Sequence, residues 1–287
     1  PRGMIGIRLE MDGTMLTTSK TILHNVLRCV ERAGLQIREI YLQPLASGYF
    51  ALSEDEKNHG TAFIDIGGGS TTIAIFQEGH LTHTSVLPVG GDHLTKDLSI
   101  ILKTPTEQAE KIKHQYGHAF YDDASDDELF EVPEIGADMK EQYSQRYISE
   151  IIGVRLEELF ELVLEEFYRM GLQDLPGGVV ISGGVAKLEG LTQLARHILQ
   201  TRVRLYTPEY IGVREASYAT AVGLIRYAHM EDQFYNRLGG SSALGQSKKP
   251  EHSSPVPKKQ KHSNNVNEED KESVMGKARK FLDKFFE

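Results

Sequence analysis

The chain has 287 residues, 39% of them hydrophobic and 25% charged, with a formal net charge of −9, a composition that suits one large or two ordinary globular domains. The acid excess makes the chain as a whole a poor binder of nucleic acid. The single cysteine, Cys29, excludes an intrachain disulfide and fits a reducing cytoplasm, and no apolar run reaches the roughly 20 residues of a membrane-spanning helix.

The opening PRGMIGIRLE has neither an initiator Met nor a signal-peptide pattern, and it enters directly into strand-like alternation. The chain is therefore expected to be truncated at its N-terminus. Alternation around Asp12-Gly13 predicts a hairpin over 4–17. Residues 19–33 place Ile22, Val26, Leu27, Val30 and Ala33 on one helical face, with Ser19 as N-cap and Gly34 as the stop. A strand is expected over 37–42 and a short helix from Pro44 over 44–53. Two apolar runs then flank glycines in FIDIGGGSTTIAIF, residues 63–76, which reads as a second hairpin. VLPVGGDHLTKDLSIIL predicts a strand, a Gly-Gly turn and a helix. TPTEQAEKIKHQYG predicts a helix with Thr104 and Glu107 as a capping box. An acidic stretch over 121–131 leads into a polar hairpin, and the longest helical pattern covers 145–170, ending at Gly171. Residues 177–199 predict strand, Gly-Gly, helix, and a last helix covers 216–229. Residues 238–273 are Gly, Ser, Pro, Lys, Asn, His and Glu with almost no apolar side chains, the composition of a disordered linker. No solenoid-type repeat is visible.

Glycine is costly inside a strand, so Gly67, Gly68 and Gly69 between two good strands ask for a reason. Without Cβ atoms this turn can bring successive N–H groups close to an anion. Ser70 and Thr71 add hydroxyl donors, and Asp65 can hold a metal through water or position an attacking water. The arrangement reads as a phosphate-holding hairpin, distinct from a Walker A loop because the glycines join strand to strand. The plain alternative is a glycine-rich turn. In VVISGGVAKLEG, the bare glycines after a buried strand can let a flat base or ribose lie against the backbone, with a helix N-terminus adding its dipole. Alone, this is only a βα turn. Gly90 and Gly91 open a helix beside the same region, either bordering a ligand or packing a turn. The histidines, including His114 and His118, form no metal-ligand pattern with Cys29.

These segments together resemble actin-like ATPases, and more narrowly the bacterial cell-division family FtsA. The likeness rests on SKTILHNVLRCVERAGLQI, QPLASGYFALS, IDIGGGSTTIAIF, LPGGVVISGG and YIGVREASYATAVGLI. It implies an α/β fold: an actin-like (ribonuclease H-like) lobe with a mixed sheet and flanking helices, plus a smaller subdomain. It implies ATP and Mg2+ as ligands, with Asp65, Gly67, Gly68, Gly69, Ser70 and Thr71 as the second phosphate hairpin and Gly183, Gly184 and Val185 as the adenosine motif. Glu110 and Lys113, an i, i+3 pair on one helix face, match a family pair that contacts adenosine; the alternative is a solvated charge pair. No first phosphate loop is found near the start, which implies that this chain offers the nucleotide one wall of its cleft and binds ATP weakly. The implied segments are a remnant of the FtsA-specific subdomain (1–36), a residual first-lobe segment (37–60), the second-lobe core (61–88), its upper subdomain (89–170), the core and return to the first lobe (171–236), the linker (237–273) and a terminal helix (274–287).

The implied function is a division-ring scaffold: it docks the C-terminal peptide of the tubulin-like FtsZ, self-associates into actin-like filaments, and meets other divisome proteins at the cytoplasmic face of the membrane at the division site. Catalysis is at most a weak ATPase. Arg155, in IIGVRLEELFELVLEE, is the first choice for the FtsZ peptide because Arg pairs carboxylates bidentately. A sugar kinase, an exopolyphosphatase or a pilus-assembly relative is the alternative on the same fold. Written as a helix from Val274 to Phe286, the tail collects Val274, Phe281, Leu282, Phe285 and Phe286 at helical spacing, flanked by Lys277, Arg279, Lys280 and Lys284. A basic helix with an aromatic face suits an anionic membrane surface, lying on it rather than spanning it. The alternative is a helix that docks a partner or its own chain.

Overall fold

The computed structural model describes residues 6–8, 10, 13–136, 140–172 and 174–240, with the helix path alone for 235–240. Residues 1–241 form one compact unit, and the second unit, 242–287, lies outside the described residues. The expected tail and most of the expected linker fall there. No described helix is long and apolar enough to cross a membrane.

A five-stranded mixed sheet carries the fold, in the order β3-β2-β1-β6-β7. Strands β1 (Thr61–Ile66), β2 (Thr71–Gln77) and β3 (His80–Leu87) form an antiparallel meander, and β6 (Gly178–Ser182) and β7 (Val203–Leu205) continue it in parallel from β1. Every residue of β1 and β6 is buried, as expected for strands covered on both faces. Ile64, Ile66, Ile73, Ile75 and Ile181 face the larger core, while Phe63, Ala74, Phe76 and Val180 face a smaller one with Ala51 and Leu52. Alternation with period 2 divides each strand between two cores.

The larger core is roofed by α4 (Gly91–Ile101), α5 (Thr106–Tyr116), α6 (Gln145–Arg169) and α7 (Leu191–Leu199). In α6 the buried Ile148, Ile152, Leu156, Leu159, Phe160, Val163 and Phe167 follow the 3.6-residue period. The hairpin of β4 (Leu129–Pro133) and β5 (Lys140–Ser144) closes one side of this roof, with Phe130 and Val132 buried beneath it. The opposite face is covered by α2 (Gln43–Ala51), which packs on both the sheet and α8 (Ala219–Gly240).

Several expectations need correction. None of the described residues of 4–17 is in a strand. Helix α1 (Lys20–Arg32) forms as expected, but the Ser19 side chain makes no cap hydrogen bond and the helix buries no residue. Residues 37–42 are not a strand either. A strand exists only where a neighbour takes its N–H and C=O groups, and every strand of the main sheet comes from residue 61 onward. The Thr104–Glu107 capping box is absent: Pro105 is the N-cap of α5, and the Thr104 hydroxyl donates instead to Pro133 O at 2.8 Å. A short helix, α3 (Glu54–His59), was not anticipated, although Ser53 and Glu56 form a full capping box there. The last helix runs to Gly240, past the expected end at 229 and into the expected linker.

Candidate nucleotide site

The glycine hairpin and the Gly90-Gly91 turn are built against each other. Ile66 and Thr71 pair as the last rung of β1 and β2, and Gly67 N–H donates to Ser70 O at 3.0 Å to close the loop. The Gly67 and Gly68 carbonyls then accept from the Gly91 and Asp92 amides, both at 2.9 Å, satisfying two of the orphan donors at the start of α4. A Cβ on Gly90 would lie 2.4 Å from Gly68 O, so glycine there is dictated by the close approach of two backbones. Gly68 and Gly69 are exposed. Thr71 is fully buried and its hydroxyl donates to Val89 O at 2.8 Å, so this side chain braces the loop from within.

A cleft of about 530 Å³ opens beside these turns, lined among others by Gly67, Gly68, Gly91, Lys113, Gly184 and Val185. It therefore brings together the hairpin, the Gly90-Gly91 turn, the Glu110–Lys113 pair and the second glycine motif, which are far apart in sequence. Gly69, Ser70, Asp65 and Gly183 do not line it. Lys187 and Glu189, which sequence reasoning passed over, do; a single Lys or Glu after a glycine pair carries no local signal.

Lys113 is 6% exposed. Its ammonium donates to Glu110 Oε2 at 2.7 Å, to Thr95 Oγ1 at 2.8 Å and to Gly91 O at 3.1 Å, which accounts for all three of its protons. Glu110 also accepts from the Thr95 hydroxyl, and its other oxygen meets His114 Nε2 at 2.9 Å. Burial alone raises the Glu110 carboxyl. The hydrogen bonds from Lys113 and Thr95 and the Lys113 charge outweigh it and hold the group below its ordinary value. The pair thus fastens α5 to the Gly91 turn while bordering the cleft.

Gly183 sits at φ +95°, and a Cβ there would lie 2.3 Å from Ile66 O and 2.5 Å from Asp65 Oδ1, so no other residue fits. Gly184 is the opposite case: a Cβ there meets nothing within 4 Å, because the residue faces open cleft. The α-helix expected after this motif begins only at Leu191. Residues Gly184–Lys187 form a 3-10 turn instead, which removes the helix dipole from the argument and leaves the bare backbone.

Asp65 is 8% exposed. Its Oδ2 accepts from Gln43 Nε2 at 2.9 Å and from Thr220 Oγ1 at 2.7 Å. Among the described residues no group of three or more His, Cys, Asp or Glu could hold a metal ion, so a metal near Asp65 would rely on this one carboxylate, on water and on its ligand. The residues fit a nucleotide better than a metal alone because three glycine turns meet at one opening; of its two lysines, Lys113 is taken up by Glu110, Thr95 and Gly91, and Asp92, Glu128 and Glu189 also line it.

Arg155 lies elsewhere, in a separate groove with Ile101, Ile151, Val154 and Glu150. Its guanidinium forks onto Asp97, Nε to Oδ2 at 2.6 Å and Nη2 to Oδ1 at 3.1 Å, and reaches Glu158 at 2.5 Å. The hydrogen bond to Asp97 raises its pKa further. Val274, Lys277, Lys280, Phe281, Leu282, Lys284, Phe285 and Phe286 lie outside the described residues.

The sequence model of the family described as "Cell division protein FtsA" matches residues 62–223, which hold both glycine motifs and the cleft. The chain belongs to the FtsA family. It is 58% identical over 228 residues to the FtsA of Bacillus subtilis, covering 79% of this chain and 52% of that protein. To the FtsA of Enterococcus faecalis it is 36% identical over 298 residues, covering all of this chain and 68% of the relative. The chain thus spans about half the length of several FtsA relatives it matches. Among solved structures, MreB5 of Spiroplasma citri bound to ADP aligns with a TM-score of 0.61 at 16% identity, over 77% of this chain and 68% of that one. A MamK double helical filament aligns at 0.57 and 17%, over 74% and 66%. At these identities the likeness is of fold alone, and the fold of this FtsA-family chain is actin-like.

Proposed function

We propose that this chain, whose family is named for cell division, is an ATP-binding scaffold with turnover that is weak at most. The observation that carries this reading is the convergence of the Gly67–Gly69 hairpin, the Gly91 turn and Gly184 on one cleft. In this reading the hairpin amides hold phosphate, with Ser70 next in the chain though outside the cleft lining, Gly184 and Val185 let the adenosine lie on bare backbone, and Glu110 and Lys113 border it. When bound, Mg2+ supplies charge neutralisation at the phosphates, with Asp65, in the strand that enters the hairpin, as the carboxylate proposed to orient its water and the Asp92 carboxylate set against Gly68 at the cleft. The groove of Val154 and Arg155 is the proposed seat of the C-terminal peptide of FtsZ: it joins exposed apolar surface to a guanidinium that a peptide carboxylate would share with Asp97 and Glu158. The tail suits anionic lipid at the cytoplasmic face of the division site. Self-association into filaments and contacts with other divisome proteins complete the scaffold. The seven segments described from the sequence remain the proposed division of labour.

The test separates the two glycines of the adenosine motif. Gly184→Val points into open cleft and is expected to leave the folding midpoint unchanged while removing Mg-ATP binding measured by titration calorimetry. Gly183→Ala instead drives a methyl into the Ile66 carbonyl at a positive φ, and is expected to destabilise the chain by more than about 1 kcal/mol. Parental Mg-ATP affinity in Gly184→Val would overturn the placement of adenosine.

A further inference from the structure

Strand β6 ends at Ser182 and delivers Gly183 and Gly184 to the cleft. The opposite end of the same strand, at Val179, borders a different groove of about 610 Å³, lined there by Arg196, Arg202, Arg204, Gln200, Thr201 and Glu56. The connection from α7 to β7 builds it. Arg196 lies in the last turn of α7, Gln200 takes φ +50° and stops the helix, and β7 begins at Val203. Three arginines close in sequence thus reach one opening.

These arginines are held in place but not all neutralised. Arg204 forks onto Glu56, Nε to Oε1 and Nη2 to Oε2, both at 2.7 Å, and Nη2 also donates to Ala51 O at 2.7 Å. Arg196 donates to Val203 O at 2.9 Å, and Arg202 donates to Pro176 O. A backbone carbonyl carries no net charge, and each of these takes one of the five donors of a guanidinium. Among the described residues no carboxylate pairs with Arg196 or Arg202. Glu56 is the one carboxylate lining the groove, and it answers Arg204. Three arginines against one glutamate leave this groove with a formal +2, in a chain of net −9. The dipole of α7 accounts for a cation at Arg196, but Arg202 lies beyond the helix.

We propose that this groove is an anion site separate from the cleft, and that its ligand is a phosphate group. A carboxylate has two oxygens, and one guanidinium satisfies both, as Arg204 does for Glu56. A phosphate group presents more acceptor oxygens and can take the planar forks of Arg196 and Arg202 together. The groove has room for a substituent on the phosphorus, so the group can belong to a small phosphate ester or to the headgroup of an anionic phospholipid. Fixing two guanidinium groups on backbone carbonyls lowers the ordering cost of binding.

Amide hydrogen exchange of the full chain, read by mass spectrometry, tests this. One arm adds inorganic phosphate, with chloride at equal ionic strength as reference. The other adds vesicles containing phosphatidylglycerol, with phosphatidylcholine vesicles as reference. Slower exchange at residues 199–205 is expected in at least one arm. The phosphate arm alone assigns a soluble ester, and the vesicle arm alone a lipid headgroup. In Arg196→Gln with Arg202→Gln, the concentration giving half of that protection should rise about tenfold or more, the factor for losing a hydrogen bond to a charged group. Any protection of 67–70 by phosphate reports the cleft and should be the same in parent and variant. Arg196→Lys with Arg202→Lys keeps both charges and loses both forks; it too should need more ligand than the parent, and it decides the matter if the Gln pair exchanges faster throughout the sheet. No protection at 199–205 in either arm overturns the proposal. So does parental protection in the Lys pair, or in a Gln pair that keeps the parental exchange of β1, because the arginine forks are then not the contact.

Discussion

Glu110 receives hydrogen bonds on both carboxylate oxygens, from Lys113 and Thr95 on one and from His114 on the other. Its depressed pKa makes the network a pH-dependent element of stability. A carboxyl that titrates lower in the folded chain than in the unfolded one stabilises the fold above the unfolded value, about 4.3, and that contribution is lost as pH falls through the folded value. Glu110→Gln is therefore expected to lower the urea midpoint at neutral pH, with the difference from the parent closing below about pH 4.3. A difference that stays constant with pH would assign the loss to packing and not to the charge. The pair was legible as an i, i+3 match to the family, and the glycines were legible because few other roles justify three in a row. Gln43 and Thr220 were not. They reach Asp65 across 22 and 155 residues of chain, and no local pattern marks a side chain whose partner is so distant. Thr71 was misjudged for a related reason, since a hydroxyl next to a glycine loop looks free until Val89 O is found against it.

At the scale of elements, strands with two apolar faces and the long α6 were readable from periodicity, while ends and caps were not. The Thr104 hydroxyl left its own helix for Pro133 because the β4–β5 hairpin offered a closer acceptor, a tertiary choice that the spacing of Thr104 and Glu107 does not contain. The stretch 37–42 had strand composition but no strand to pair with. The Arg155–Asp97 fork likewise joins α6 to α4, so Arg155 serves packing as well as any ligand. This yields a two-sided prediction for FtsZ-peptide binding, read by fluorescence anisotropy. Arg155→Glu sets a carboxylate against Asp97 and Glu158 and is expected to weaken the peptide by about tenfold or more. Asp97→Asn removes the competing carboxylate and should leave the peptide bound at least as tightly as the parent. If both variants lose the peptide equally, the fork shapes the groove and Arg155 is not the contact.

For the whole molecule, charge decides which part can face an anionic leaflet. The chain carries a net −9, so its body is repelled by such a surface. Residues 274–287 instead hold Lys277, Arg279, Lys280 and Lys284 against Asp283 and Glu287, with Phe281, Phe285 and Phe286 among them. Each buried phenylalanine contributes about 1.5–3 kcal/mol and each basic residue near the leaflet about 1 kcal/mol, offset by the cost of ordering a short helix. Apolar insertion should thus dominate, with charge as a salt-sensitive addition. Replacing Phe281 and Phe285 with alanine in the full chain is expected to abolish sedimentation with vesicles rich in anionic lipid. Replacing Lys277, Lys280 and Lys284 with glutamine should leave weaker binding that responds little to added salt. A Phe281/Phe285 double variant that pellets as the parent does would move the anchor elsewhere, and the tail would then be a helix for a protein partner.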